Sequence, residues 1–134
     1  MVLADKVRAA KRVYLIGNGG SHANAMHIAN DLLACGIRAY TLDAASLTAI
    51  ANDFGYEHIF SKWLATVGEK GDLLIALSGS GKSRNILNAL AMADEIGMES
   101  VLISDHLQTM DMQQSEEAQI ALGHELLRCL RPKN

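Results

Sequence analysis

Two loops and one helical pair hold the residue types that can do chemistry in this chain. The first loop is Gly17-Asn18-Gly19-Gly20-Ser21-His22. Its glycines let backbone approach a ligand closely, and Ser21 can cap the helix that follows. Free N–H groups and a positive dipole end then face an anion. The second loop is Ser78-Gly79-Ser80-Gly81-Lys82-Ser83. Three serine hydroxyls around another helix N-terminus form an anion cradle, each hydrogen bond to a charged oxygen contributing about 1.5–3 kcal/mol. Together they can hold a phosphate monoester without an arginine clamp. The plainer reading of both loops is a glycine-rich or serine-capped strand-to-helix turn with no ligand. His27 and Asp31 stand four apart and share one helix face, as ordinary surface pairs also do.

The second loop invites a different reading. Ala76–Ser83 (ALSGSGKS) nearly matches GxxxxGK[ST], with alanine at the first glycine. Three features weaken a nucleotide site. The loop follows the third strand rather than the first, Asp105 is the one acidic residue after an apolar strand that could serve magnesium, and the first glycine loop would be left without a task.

The elements that must position these loops alternate in type. Helical patterns cover Val2–Ala10, Ser21–Ala34, Ala45–Ala51, Tyr56–Thr66, Ser83–Ile96 and Glu116–Leu130. Strand patterns cover Arg12–Ile16, Arg38–Leu42, Asp72–Leu77 and Glu99–Ile103. Strands separated by helices imply right-handed crossovers and a parallel sheet, with ligands at the carboxyl ends of its strands. The expectation is an α/β chain: a three-layer αβα sandwich on a parallel, flavodoxin-like sheet, one domain over residues 1–134. Between Asp105 and Glu116 there is little room for a fifth strand.

Composition sets the class. With 134 residues, 49% hydrophobic and 20% charged, the chain is globular in type. A net charge of −3 with interspersed signs gives no footprint for a nucleic acid backbone. No stretch is long and apolar enough to span a membrane, and the N-terminus lacks the apolar run of a signal peptide. Cys35 and Cys129 form no CxxC pair and read as thiols of a reducing compartment. The expected location is the cytoplasm. The helix faces Ser21–Ala34 and Glu116–Leu130 are apolar enough to bury against a second copy, giving a homodimer or homotetramer.

The segments GNGGSHANAMHIANDL, AIANDFGYEHIFSKWL, VGEKGDLLIALSGSGKSRNILNAL and GMESVLIS resemble the phosphoheptose isomerases of the SIS-domain family, in the same order and spacing over Arg12–Asp105. The regulatory protein DiaA is similar too. The resemblance implies an aldose–ketose isomerase acting on sedoheptulose 7-phosphate, a homotetramer with sites between subunits, and zinc. Carried over by position, Asn18, Gly19, Gly20, Ser21 and Asp53 bind the sugar. Ser78, Ser80 and Ser83 hold the phosphate, and Gly79 stands where the family often has threonine. His27, Asp31, Glu116 and His124 are the implied metal ligands, with Asp31 and His124 also the acid–base pair. Asp31 replaces a glutamate, withdrawing the carboxylate by about one ångström, a scale at which misplacement can cost about a hundredfold in rate. Glu116 replaces a glutamine and lies eight residues from His124, about 12 Å along one helix. His22, His58 and His106 read as structural or exposed. About eleven residues precede the first strand, where the resemblance implies a long helix. The alternative within the same resemblance is a non-catalytic, sugar-phosphate-binding regulatory module.

Overall fold

The apolar runs VYLIG and LLIAL form the two central strands because a parallel strand covered on both faces must be hydrophobic throughout. Every residue of β1 (Val13–Gly17) and β3 (Leu73–Leu77) is buried. The computed structural model describes residues 1–105 and 109–132. It contains β2 (Ala39–Tyr40) and β4 (Glu99–Ile103) as the outer strands, in the order β2-β1-β3-β4. All three pairings are parallel, and Val13 stands opposite Leu73 in the central ladder.

Side chains alternate across the sheet. Val13, Leu15, Leu73, Ile75 and Leu77 point to one face, where α1 (Val2–Ala9), α2 (Gly20–Ala34) and α6 (Met112–Leu130) pack. Tyr14, Ile16, Leu74 and Ala76 point to the other, covered by α3 (Ala44–Phe54), α4 (Ile59–Val67) and α5 (Arg84–Ile96). The result is the expected three-layer αβα sandwich. Each fully buried Leu, Ile or Phe contributes about 1.5–3 kcal/mol, and Phe60, Leu15, Ile16, Leu74 and Ile75 are among the largest such residues.

Several elements depart from the sequence reading: the helix expected over Ala45–Ala51 runs Ala44–Phe54, and that expected over Tyr56–Thr66 opens with a 3-10 turn at Tyr56–His58 before α4. The second strand is two residues long rather than the expected Arg38–Leu42. It pairs with β1 alone, and Asp43 soon turns the chain into α3 by accepting the Ser46 N–H at 3.0 Å. The last helix begins four positions before Glu116. Asp111 accepts the Gln114 N–H while Gln114 accepts the Asp111 N–H, a reciprocal cap. Among the described residues no helix is long and apolar enough to cross a membrane.

Helices α2, α5 and α6 all start at the carboxyl ends of strands, so their N-termini lie along one edge of the sheet. Strands β1 and β3 are neighbours while their following connections run to opposite sides. That is the switch point at which doubly wound sheets open a crevice.

Candidate functional site

The crevice forms where this topology requires. A cavity of about 900 Å³ is lined by Asn18 from the tip of β1, by Tyr56, Glu57 and His58, and by Ser83, Arg84, Asn85 and Asn88 from the start of α5. Asn18 and Asn85 exchange amide hydrogen bonds of 2.9 Å in both directions. Tyr56 donates its hydroxyl to Asn18 Oδ1 at 2.9 Å. The buried Asn85 therefore locks the first loop to the start of α5. Arg84, Asn85 and Tyr56 were not singled out from sequence. Arg84 did carry a signal, because a cation on the first turn of a helix opposes its dipole unless an anion is to be received there.

The serine loop is held by its own hydroxyls. Ser78 Oγ accepts the Gly81 N–H and Ser80 Oγ accepts the Lys82 N–H, both at 3.1 Å. Each hydroxyl keeps its proton to donate. The loop does not face one hollow only. Ser83 lines the large crevice, whereas Gly79 and Ser80 line a second hollow of about 280 Å³ with Asp105, Asp111 and Ser115. The start of α6 makes the division. A Cβ on Gly79 would lie 2.8 Å from Ser115 Oγ, so α6 seats against the glycine directly. The magnesium role raised for Asp105 is not supported: its two oxygens accept from Thr109 and from the Met110 N–H.

The first loop turns at Gly19, whose φ of 56° favours glycine. Gly19, not Ser21, is the N-cap of α2, and no side chain caps it. Ser21 lies within the first turn, buried, and its hydroxyl accepts Gln119 Nε2 from α6 at 3.0 Å. The expected serine cap is thus replaced by an interhelical bond. Gly20 also lacks space for a side chain, because the Glu116 carboxylate lies against it. That carboxylate sits at the positive end of the α2 dipole, a favourable place for a negative charge.

On α2 and α6 three donors converge. His27 Nε2 lies 3.2 Å from His124 Nε2 and 3.4 Å from Asp31 Oδ2. The ligating atoms of all three residues fall within 4.8 Å of one another. Only one proton fits between two facing imidazole nitrogens. Asp31 Oδ2 is buried without a hydrogen-bond partner among the described residues. Such an orphaned oxygen beside two ring nitrogens fits a cation. The edges of a zinc tetrahedron with bonds of about 2.0–2.1 Å measure about 3.3 Å, close to both separations. Glu116 is not part of this group. It stands at Gly20 because eight residues of straight helix separate it from His124.

The remaining sequence candidates are placed as follows. Asp53 is exposed at the end of α3, where its Oδ1 accepts from Asn52, and it is absent from the walls of both cavities. His58 lines the crevice, 3.6 Å from the Glu57 carboxylate. His106 lies outside the described residues. His22 is half-buried, with Nδ1 enclosed and lacking a partner among the described residues, and burial lowers its pKa from 6.5. Protonation is then easier in the unfolded chain. The stability tied to neutral His22 is complete above pH 6.5 and falls as the pH drops through and below that value. Thermal melts of wild type and His22→Gln between pH 7.5 and 5 check this: the wild type should lose the more stability on acidification, and parallel curves refute it.

Similarity to known proteins agrees with this geometry. The SIS domain family matches residues 1–104. The phosphoheptose isomerase of Histophilus somni (strain 2336) is 39% identical over 111 residues, covering 78% of this chain and 57% of that protein. That of Akkermansia muciniphila is 40% identical over 111 residues, covering 77% and 59%. The chain therefore spans less than two thirds of the length of these relatives. Among solved structures, phosphoheptose isomerase from Neisseria gonorrhoeae superposes with a TM-score of 0.88 at 27% identity, over 96% of this chain and 80% of that one. On the family match and the shared fold, the chain belongs to the SIS domain family.

Proposed function

We propose that this protein is an aldose–ketose isomerase of the phosphoheptose type, acting on sedoheptulose 7-phosphate. The observation that carries the reading is the convergence of His27, Asp31 and His124 on two helices that start at the ligand edge of the sheet. The relatives named phosphoheptose isomerase support the substrate class.

In this reading the phosphate is received in the large crevice by the Ser83 hydroxyl, by the free N–H groups at the start of α5 and by Arg84, while Ser78 and Ser80 hold the loop in shape through their bonds to the Gly81 and Lys82 N–H groups. Asn18 and the exposed turn at Gly19 meet the polyol. Asp31 takes a proton from the carbon beside the carbonyl and returns it to the former carbonyl carbon. The hydroxyl proton passes between the two neighbouring oxygens of the enediol, so the net change is one proton shifted on carbon and one on oxygen. Zinc held by His27, Asp31 and His124 would polarise the carbonyl oxygen.

His27 is seven positions beyond Gly20, about 10 Å along α2. A site completed by a second copy brings the triad and a loop together. The outer face of α2 exposes Met26 and Leu33, one above the other, and α2 is our proposed contact in a homodimer or homotetramer. Light scattering that returned a monomer mass would contradict this assembly. We place the protein in the cytoplasm as a single SIS domain, in keeping with its free Cys35 and Cys129.

The test is deuterium exchange into sedoheptulose 7-phosphate in heavy water, followed by NMR, with zinc and after chelation. Exchange that needs zinc supports the isomerase. Absence of exchange in both conditions, with thermal stabilisation by the sugar phosphate, would overturn it in favour of a binding module.

A further inference from the structure

The triad's geometry depends on how α6 seats against α2, and one buried amide spans that seam. Gln119 is 3% exposed. Its Nε2 donates to Ser21 Oγ at 3.0 Å, and its Oε1 accepts from Asn24 Nδ2 at 2.9 Å. The same Asn24 nitrogen donates to the Glu116 carbonyl at 2.9 Å. Both polar ends of the Gln119 amide are thus engaged on α2, in a region where an unmatched amide is costly. Five residues further along α6, His124 meets His27 with ring centroids 5.3 Å apart.

Apolar packing, here Gly123 against Ile28, sets how closely the two helices approach. Hydrogen bonds to fixed partners are directional and select one register. The two imidazoles sit on different helices, so their separation reports that register. We propose that Gln119 is a positioning residue: it fixes the register of α6 on α2 and so holds His124 at metal-binding distance from His27 and Asp31. The inference rests on the metal reading given above, and it adds a residue that touches no ligand, since Gln119 bonds Ser21 and Asn24 rather than any of the three donors.

The experiment uses the whole chain, with cobalt(II) as a spectroscopic stand-in for zinc. Metal affinity and the visible absorption of the bound ion are compared in wild type, Gln119→Leu and Asn24→Ala. The leucine keeps volume and removes both polar contacts. The alanine cuts the same network from its less buried side, should the first variant fold poorly. Loss of outer contacts typically weakens a metal site by 10–100-fold, and a loss of at least about tenfold is expected in either variant. A weakened low-coordinate band at saturation should accompany it. Circular dichroism checks that the helices persist. Wild-type cobalt affinity and spectrum in both variants, with a lowered melting temperature alone, would overturn the proposal and leave Gln119 a stability residue. Failure of the wild type itself to bind cobalt would instead remove the triad reading, and this inference with it.

Discussion

Asp31→Asn is expected to reduce the proposed turnover of sedoheptulose 7-phosphate by about a hundred- to ten-thousandfold, the range for loss of a positioned acid–base group, while the melting temperature of the metal-free protein stays at or above that of the metal-free wild type. The two halves of this expectation share one cause. Asp31 Oδ2 is buried without a hydrogen-bond partner among the described residues and stands 3.4 Å from His27 Nε2. A buried carboxylate oxygen left in that state opposes folding. The amide is nearly the same size and carries no charge, so the substitution relieves that cost without opening a cavity. It also removes the anionic oxygen that can take a proton or bind a cation, and zinc affinity should fall with the rate. Turnover of the zinc-loaded protein and a thermal melt after chelation decide the matter. A rate within threefold of wild type would show that Asp31 does not act on the reaction. A large loss of stability would show that the carboxylate has a structural partner instead.

The second large effect is a reversal of sign. Gly123 lies inside α6, where alanine is ordinarily the better residue by about 0.8–1 kcal/mol. Helix propensity alone therefore predicts that Gly123→Ala stabilises the protein. The packing predicts the opposite. A Cβ at this position would lie 2.5 Å from Ile28 Cγ1 and 2.9 Å from its Cδ1. Ile28 is 4% exposed within the core between α2 and the sheet, so it has little room to withdraw. Overpacking of a core typically costs about 1–3 kcal/mol, enough to outweigh the propensity gain. A net destabilisation of up to about 2 kcal/mol follows from these two magnitudes. Relief of the clash must separate α6 from α2 beside His124, so metal affinity should fall as well. Urea unfolding measures the first effect and metal titration the second. A Gly123→Ala variant more stable than wild type would refute the close seating of the two helices.

Much of the scaffold was legible along the chain. The central strands announced themselves because residues buried on both faces of a parallel sheet must be continuously apolar. Helices α2 and α5 kept helical spacing on their buried sides. Turn chemistry marked both loops, since glycine and serine at strand ends have few other reasons to cluster. The errors fell where local signals were weak or shared. The strand at Ala39–Tyr40 has one neighbour and is cut short by the Asp43 cap, so its apolar pattern overstated its length. The start of α6 was missed because the capping pair Asp111 and Gln114 was passed over for the apolar pattern beyond it. Ser21 was read as a cap because serine commonly is one, yet its hydroxyl bonds to a side chain 98 positions away.

For the site, residue types and their order on the chain determined that anions could be gripped at two strand tips and that His27 and Asp31 shared a face. Periodicity also determined that Glu116 and His124 could not easily meet at one point. Only the tertiary structure decided which partners met. It brought His124 to His27 across 97 positions, set Glu116 on Gly20, turned Arg84 and Tyr56 toward the crevice and split the serine loop between two hollows. The physical reason is that a local pattern reports which face of an element is apolar, and nothing more. The rotation and register of one helix on another depend on side-chain volume and directional hydrogen bonds at the contact, here Gly123 against Ile28 and Gln119 against Ser21 and Asn24. Those contacts exist only when distant segments pack.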